Sequence, residues 1–206
     1  MVPGRTLPRA IASIPEPNAR QLERGQACRR TCILLAAKVY SVYSYPVLTD
    51  VSALVSDFSL AAALVPGWPC PIRTELLRAP HRPPQLPAGF AAVYVFALGQ
   101  EAGVRAPAGP GAVLKVGKVS IASGARFSYQ HYGPNAPSTL AKSLVKYRVL
   151  WPWLGIADIN LQNVKTWMLA NLDRVHFYVP AGHPDVLSSL EVYVRARVGS
   201  AFEGAA

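Results

Sequence analysis

The chain has 206 residues, 51% of them hydrophobic and 16% charged, which suits one domain with extensions and excludes low-hydrophobicity disorder for the chain as a whole. Lys and Arg number 21 against 11 Asp and Glu, for a net charge of +10, so polyanionic partners lead: nucleic acid first, an anionic membrane surface second. Ten of the basic residues fall by Gln85 and eleven after it, against five and six acids, so no basic tail accounts for the excess.

From Met1 to Arg30 there are four prolines and six arginines without a sustained apolar period, which reads as a loose basic arm. Thr31 to Leu48 places Cys32, Leu35, Val39 and Val42 at helical spacing, while Tyr40, Tyr43 and Tyr45 suit a strand equally. Ser52 to Leu64 has a helical apolar stripe closed by Pro66-Gly67, and Trp68 to Pro87 is a proline-rich connection with a short helix expected over Arg73–Arg78. The longest charge-free apolar run, Phe58 to Ile72, contains Pro66, Pro69 and Pro71 and makes no spanning helix. The first thirty residues lack the apolar stretch of a secretory signal, and Cys28, Cys32 and Cys70 form no disulfide framework. A reducing cytoplasm is the expected location. With His81 these cysteines make one formal zinc set, but its spacing is no recognised knuckle.

After Pro87 the signals agree with one another. Ala92–Phe96 and Val113–Val119 read as strands joined by a Gly/Pro-rich loop from Gly99 to Gly111. Helices follow over Ser123–His131, Ser138–Arg148 and Asn160–Leu172, then a strand at Val175–Val179 and a helix from Pro184 to Val198. Segregated strands and helices imply an α+β fold, with a small three-stranded antiparallel sheet flanked by helices. The organisation expected is an arm over 1–48, a helical segment and linker over 49–85, and a domain over 86–204.

Strand alternation sets Tyr94 on the face opposite Val93 and Val95. Lys115 on the partner strand can approach it if the register allows; otherwise it is an edge lysine in solvent. No acid occurs between Glu101 and Asp158, which leaves Lys115, Lys118, Arg126, Lys142, Lys146 and Arg148 as a basic, nucleic-acid-binding surface or a merely solvated one. Leu187, Glu191, Val194 and Val198 share a helical face, so Glu191 needs a partner: a metal ion, Arg126, or a structural arginine pair. A lone carboxylate with water and phosphate oxygens suits Mg²⁺ or Mn²⁺. His131 and Tyr132, at a Gly-Pro stop, serve proton transfer or act as a polar cap. Trp151, Trp153 and Trp167 are assigned to the core.

Val93-Tyr94-Val95, then Lys115-Val116-Gly117, then Arg126 on a helix and Glu191 on the last helix resemble the GIY-YIG nuclease family, in the variant whose second signature reads Lys-Val-Gly. The resemblance spans about Leu86 to Gly204. It implies a metal-dependent DNA endonuclease in which Tyr94, aided by Lys115, directs the attacking water, Arg126 stabilises charge on phosphorus, His131 assists, and Glu191 holds Mg²⁺. DNA would be contacted by Lys118, Arg126, Lys142, Lys146 and Arg148. Ala92 stands where the first signature has glycine, Lys115 where the second has tyrosine, and no asparagine follows Asn171. A nucleic-acid-binding module of the same fold without cleavage, and a basic membrane-surface protein, therefore stand as alternatives, although no stable membrane association is expected.

Overall fold

The structure, a computed structural model, describes residues 50–68, 71–133 and 139–202. The basic arm over 1–48 and Cys28, Cys32 and Cys70 of the zinc set lie outside them. Helix α1 (Val51–Ala62) starts at Asp50, whose carboxylate accepts from the Ser52 and Ala53 amides, the usual work of an N-cap. Then come β1 (Arg73–Leu77), β2 (Phe90–Leu98), the short α2 (Gln100–Val104) in the hairpin loop, and β3 (Val113–Val119). Helix α3 (Gly124–Ser128) is followed by α4 (Leu140–Lys146), α5 (Trp151–Leu154), α6 (Val164–Asn171), β4 (Leu172–Pro180) and α7 (Pro184–Val198).

The sheet has four strands, in the order β1-β4-β2-β3, all antiparallel. This corrects the three-stranded GIY-YIG-like arrangement expected from sequence. The extra strand is β1, which sequence reading takes for a short helix over Arg73–Arg78. Five residues are too few for periodicity to decide between helix and strand, and the tertiary partner decides: Arg73 pairs with Tyr178, Glu75 with His176 and Leu77 with Arg174.

Both faces of the sheet are covered, so β2 and β4 are buried along almost their whole length; β2 reads as a near-continuous apolar run, while β4 also carries the buried Asp173, Arg174 and His176. Ala92, Tyr94, Phe96 and Leu98 point into one core with Phe127, Tyr132, Leu140, Leu144, Val164 and Met168. Val93, Val95, Val175, Phe177 and Val179 point into the other, against Phe58 of α1 and Val186, Leu190, Val194 and Val198 of α7. Trp151, Trp153 and Trp167 pack on the first core. Each fully buried aliphatic or Phe side chain contributes about 1.5–3 kcal/mol of burial, which is why two cores form on one sheet.

The helix expected over Ser123–His131 is three pieces: a 3₁₀ turn at Ile121–Ser123, α3, and a second 3₁₀ turn at Gln130–Tyr132. Neither the 3₁₀ turn at Ile121 nor α3 has a side-chain N-cap bond, and Tyr129 leaves helical geometry at φ −141°. Helix α4 starts instead at Thr139, whose hydroxyl accepts from the Lys142 amide. Helix α7 matches its sequence signals: Pro184 at its start, Asp185 in the first turn, Arg195 and Arg197 in the last, each on the side the helix dipole favours. Gly199, at φ +58°, ends it. Among the described residues no helix is long and apolar enough to cross a membrane.

Candidate functional site

Tyr94 occupies the middle of β2, 1% exposed. Its rung across the sheet runs Glu75, His176, Tyr94, Gly117. A Cβ built on Gly117 falls 2.4 Å from the Tyr94 hydroxyl oxygen and 2.7 Å from Cζ, so the phenol lies directly over the Gly117 backbone and its oxygen reaches the outermost strand. There the positive charge of the exposed Arg126 of α3 acts on it. Burial pushes the phenol up to about 12, against the pull of the Arg126 and Arg174 guanidiniums, and at neutral pH it keeps its proton.

Lys115 faces the same side two pairs along, opposite Phe96, diagonal to Tyr94. It is 5% exposed, no solvated edge lysine. Burial lowers the pKa of its ammonium, and repulsion from Arg126 and Arg195 lowers it further.

Glu191 comes to β3 from α7, on the other side of the sheet. Lys118, opposite Val93 in the register, puts Nζ 3.2 Å from Glu191 Oε2, while Arg195, one turn along α7, puts Nη2 2.8 Å from Oε1. The Glu191 side chain is 13% exposed. Its partners are therefore Lys118 and Arg195, where sequence reading offered a metal ion, Arg126 or an unnamed arginine. The Glu191 charge nevertheless acts on Tyr94, raising its pKa, and Arg195 acts on Lys115. Tyr94 and Lys115 thus face one side of the sheet and Lys118, Glu191 and Arg195 the other, with charges that act on one another across the edge strand β3.

His131 belongs beneath this group rather than in it. Its ring centroid is 4.7 Å from that of Tyr94 and 5.7 Å from that of Phe96, and it is 1% exposed. Burial, then repulsion from Arg174, Lys115 and Arg126, depresses its pKa to about 3. Neither ring nitrogen has a hydrogen-bond partner among the described residues, so the ring is a neutral packing element. Lys142, Lys146 and Arg148 are exposed on and just after α4, which packs on the 3₁₀ turn holding His131. Lys146 Nζ lies 5.0 Å from the Tyr147 ring centroid and Arg148 5.2 Å from that of Trp151.

Sequence reasoning missed Arg174 and Arg195. Arg174 is fully buried, its guanidinium 4.3 Å from the Phe127 centroid, 4.8 Å from Phe96 and 5.4 Å from Tyr94, with Nη1 donating to the Tyr132 hydroxyl at 3.3 Å. The signal was present in the alternation of β4, where Arg174, His176 and Tyr178 take one face and Val175, Phe177 and Val179 the other. Farther along that face Glu75 accepts from His176 Nδ1 at 3.0 Å and from the Tyr178 hydroxyl at 2.5 Å. Those bonds, the Tyr178 one first, lower the Glu75 pKa in spite of its partial burial. Arg195 was readable as the i+4 partner of Glu191.

Among the described residues no three His, Cys, Asp or Glu side chains gather in a metal-binding group. Glu191 by itself offers the hard oxygen donors that Mg²⁺ or Mn²⁺ prefers, with water and phosphate oxygens to complete the shell. Its donor chemistry fits such an ion; Lys118 and Arg195 hold the two oxygens the ion would use. No protein-family model, no curated protein and no solved structure matches the chain.

Proposed function

We propose that the chain is a divalent-metal-dependent DNA endonuclease of GIY-YIG kinship, hydrolysing phosphodiester bonds along β3. The observation that carries this reading is a tyrosine hydroxyl lying over Gly117, with one carboxylate and four cationic side chains on the two sides of β3 near enough for their charges to act on one another. A phosphodiester needs cations for its charge, a donor or acceptor to orient water, and a carboxylate for an ion.

In the reaction, water attacks phosphorus, the new P–O bond forms as the bond to the leaving sugar oxygen breaks, a proton from the water passes to solvent, and the leaving oxygen takes one up from solvent. Arg126, exposed at the rim, forks onto the phosphate oxygens and neutralises charge developing there. The Tyr94 phenol, protonated near neutrality, orients the attacking water by hydrogen bonding rather than deprotonating it. Lys115 supplies fixed positive charge from within the site. Glu191 is the residue that would hold Mg²⁺, which when bound stabilises charge on the leaving oxygen. Lys142, Lys146 and Arg148 extend the basic surface that takes the flanking DNA backbone.

The engagement of both Glu191 oxygens by Lys118 and Arg195 favours a second reading, a DNA-binding module without cleavage. A supercoiled-plasmid nicking assay with Mg²⁺ and with chelator separates the two. Cleavage that needs Mg²⁺ and is lost in Tyr94→Phe and Arg126→Ala supports the endonuclease; tight binding without a nick at any divalent ion concentration supports the binding module.

A further inference from the structure

Glu191 carries two cations where one would satisfy it. Arg195 alone completes an i,i+4 pair with it at 2.8 Å. Lys118 adds a second at 3.2 Å from the neighbouring strand and is steadied there by donating to Ser188 Oγ at 3.0 Å. One carboxylate thus holds two cations, and Arg195 is also close enough to repel the Lys115 ammonium. That surplus matches an anion that arrives from outside. The Lys118 and Arg195 side chains are 41% and 36% exposed, which leaves them room to turn toward solvent, whereas the carboxylate they hold is 13% exposed.

Resting on the phosphodiesterase reading above, we infer that Lys118 and Arg195 are the phosphate-binding pair of the site, stored on Glu191 until a phosphodiester and a divalent cation arrive together. A cation binding alone must displace the Lys118 ammonium and the Arg195 guanidinium from the carboxylate and sit among their charges, so its affinity is weak. A phosphodiester offers Lys118 and Arg195 new oxygens and frees Glu191. Each ligand then strengthens the other by the same factor, as linkage requires. The device keeps the site from assembling a metal without substrate.

The test is Mn²⁺ binding to the full chain by electron paramagnetic resonance, with no DNA and then with a short DNA duplex, in the wild type, Arg195→Gln, Arg195→Lys and Glu191→Gln. Removing a unit charge a few ångströms from a divalent ion should tighten Mn²⁺ binding about tenfold in Arg195→Gln without DNA. Arg195→Lys should stay near wild type, and Glu191→Gln should lose the site. In chelator, Arg195→Gln should bind the duplex more weakly, with a salt slope reduced by about one. Lys118→Gln makes the same test independently if Arg195→Gln fails to fold. Mn²⁺ affinity unchanged in folded Arg195→Gln and Lys118→Gln, yet lost in Glu191→Gln, overturns the storage of the pair and leaves the metal reading standing. No Glu191-dependent Mn²⁺ binding in any variant, with or without duplex, overturns both.

Discussion

Gly117→Ala should destabilise the protein, although the usual effect of that change in a strand runs the other way. Alanine in place of a strand glycine normally gains about 0.5–1 kcal/mol from backbone entropy. Here the new methyl would sit 2.4 Å from the Tyr94 hydroxyl oxygen, 2.7 Å from Cζ and 3.1 Å from Cε2. The Tyr94 ring has little room to retreat, with His131 at 4.7 Å, Phe96 at 5.8 Å and Phe127 at 6.5 Å between centroids. Overpacking of this kind costs about 1–3 kcal/mol, and the closeness of the contact points to the upper half of that range. The net loss is about 2 kcal/mol, or about 4–8 °C in melting temperature for a chain of this size. Thermal melts of Gly117→Ala, Tyr94→Phe and the double variant measure it. Removing the hydroxyl takes away the nearest atom but leaves Cζ, so the double variant should recover part of the loss, with a coupling of about 1 kcal/mol. A Gly117→Ala protein that melts at or above the wild-type temperature would refute the placement of the Tyr94 hydroxyl over Gly117.

Acid should unfold the protein through His131 and His176, both held neutral with pKa values of about 3 against an ordinary 6.5. Their contribution is fully present above about pH 6.5 and is lost as pH falls toward 3, by about 1.4 kcal/mol per pH unit for each proton the unfolded chain takes up first. Denaturant melts between pH 7.5 and 5 should show this slope, flatter in His131→Phe; a pH-independent stability over that range would contradict the buried neutral rings. Arg174→Met should fold with stability close to wild type, since an apolar chain of similar length replaces a buried charge, whereas Arg174→Ala leaves a cavity among the rings and should lose about 2–5 kcal/mol. Equal losses in the two variants would mean that the charge itself stabilises the core. Neutralising Lys142 and Lys146 together should flatten the salt dependence of DNA binding by about two phosphate contacts, measured by fluorescence anisotropy across a salt series; an unchanged slope would place the DNA path away from α4.

Much of the fold after Pro87 is legible in the chain because its local signals are strong. Val113–Val119 and Pro184–Val198 coincide with their sequence boundaries, one through alternation and one through Pro184 and its helix-end charges. Strand β1 was hidden because Arg73–Leu77 is short, has polar and charged residues at its first three positions, and owes its conformation to β4 rather than to its own pattern. The broken region around α3 looks like one helix in the sequence because Ser123 resembles a cap, yet its side chain makes no cap bond. Tyr94, Arg126 and Glu191 could be singled out from order and spacing. That Glu191 answers to Lys118 across the strand could not be, since it depends on Lys118 and α7 sharing one face of the sheet. Arg174 escaped notice because a fully buried arginine ringed by Phe96, Phe127, Tyr94 and Tyr132 runs against the rule that such charges stay exposed or paired.

The most direct measurement of the central claim is Mg²⁺-dependent cleavage of plasmid DNA by Glu191→Gln beside the wild type, both shown to be folded by their melting curves. Glutamine keeps the size and hydrogen bonding of the side chain and removes the charge that would hold the ion, while the exposed positions of Lys118 and Arg195 keep the stability cost to about 1 kcal/mol or less. The wild type should nick the plasmid, Glu191→Gln should lose the activity at least about a hundredfold, and the variant should still bind DNA in chelator. Cleavage by the folded variant at the wild-type rate would rule out Glu191 as the residue that holds the ion.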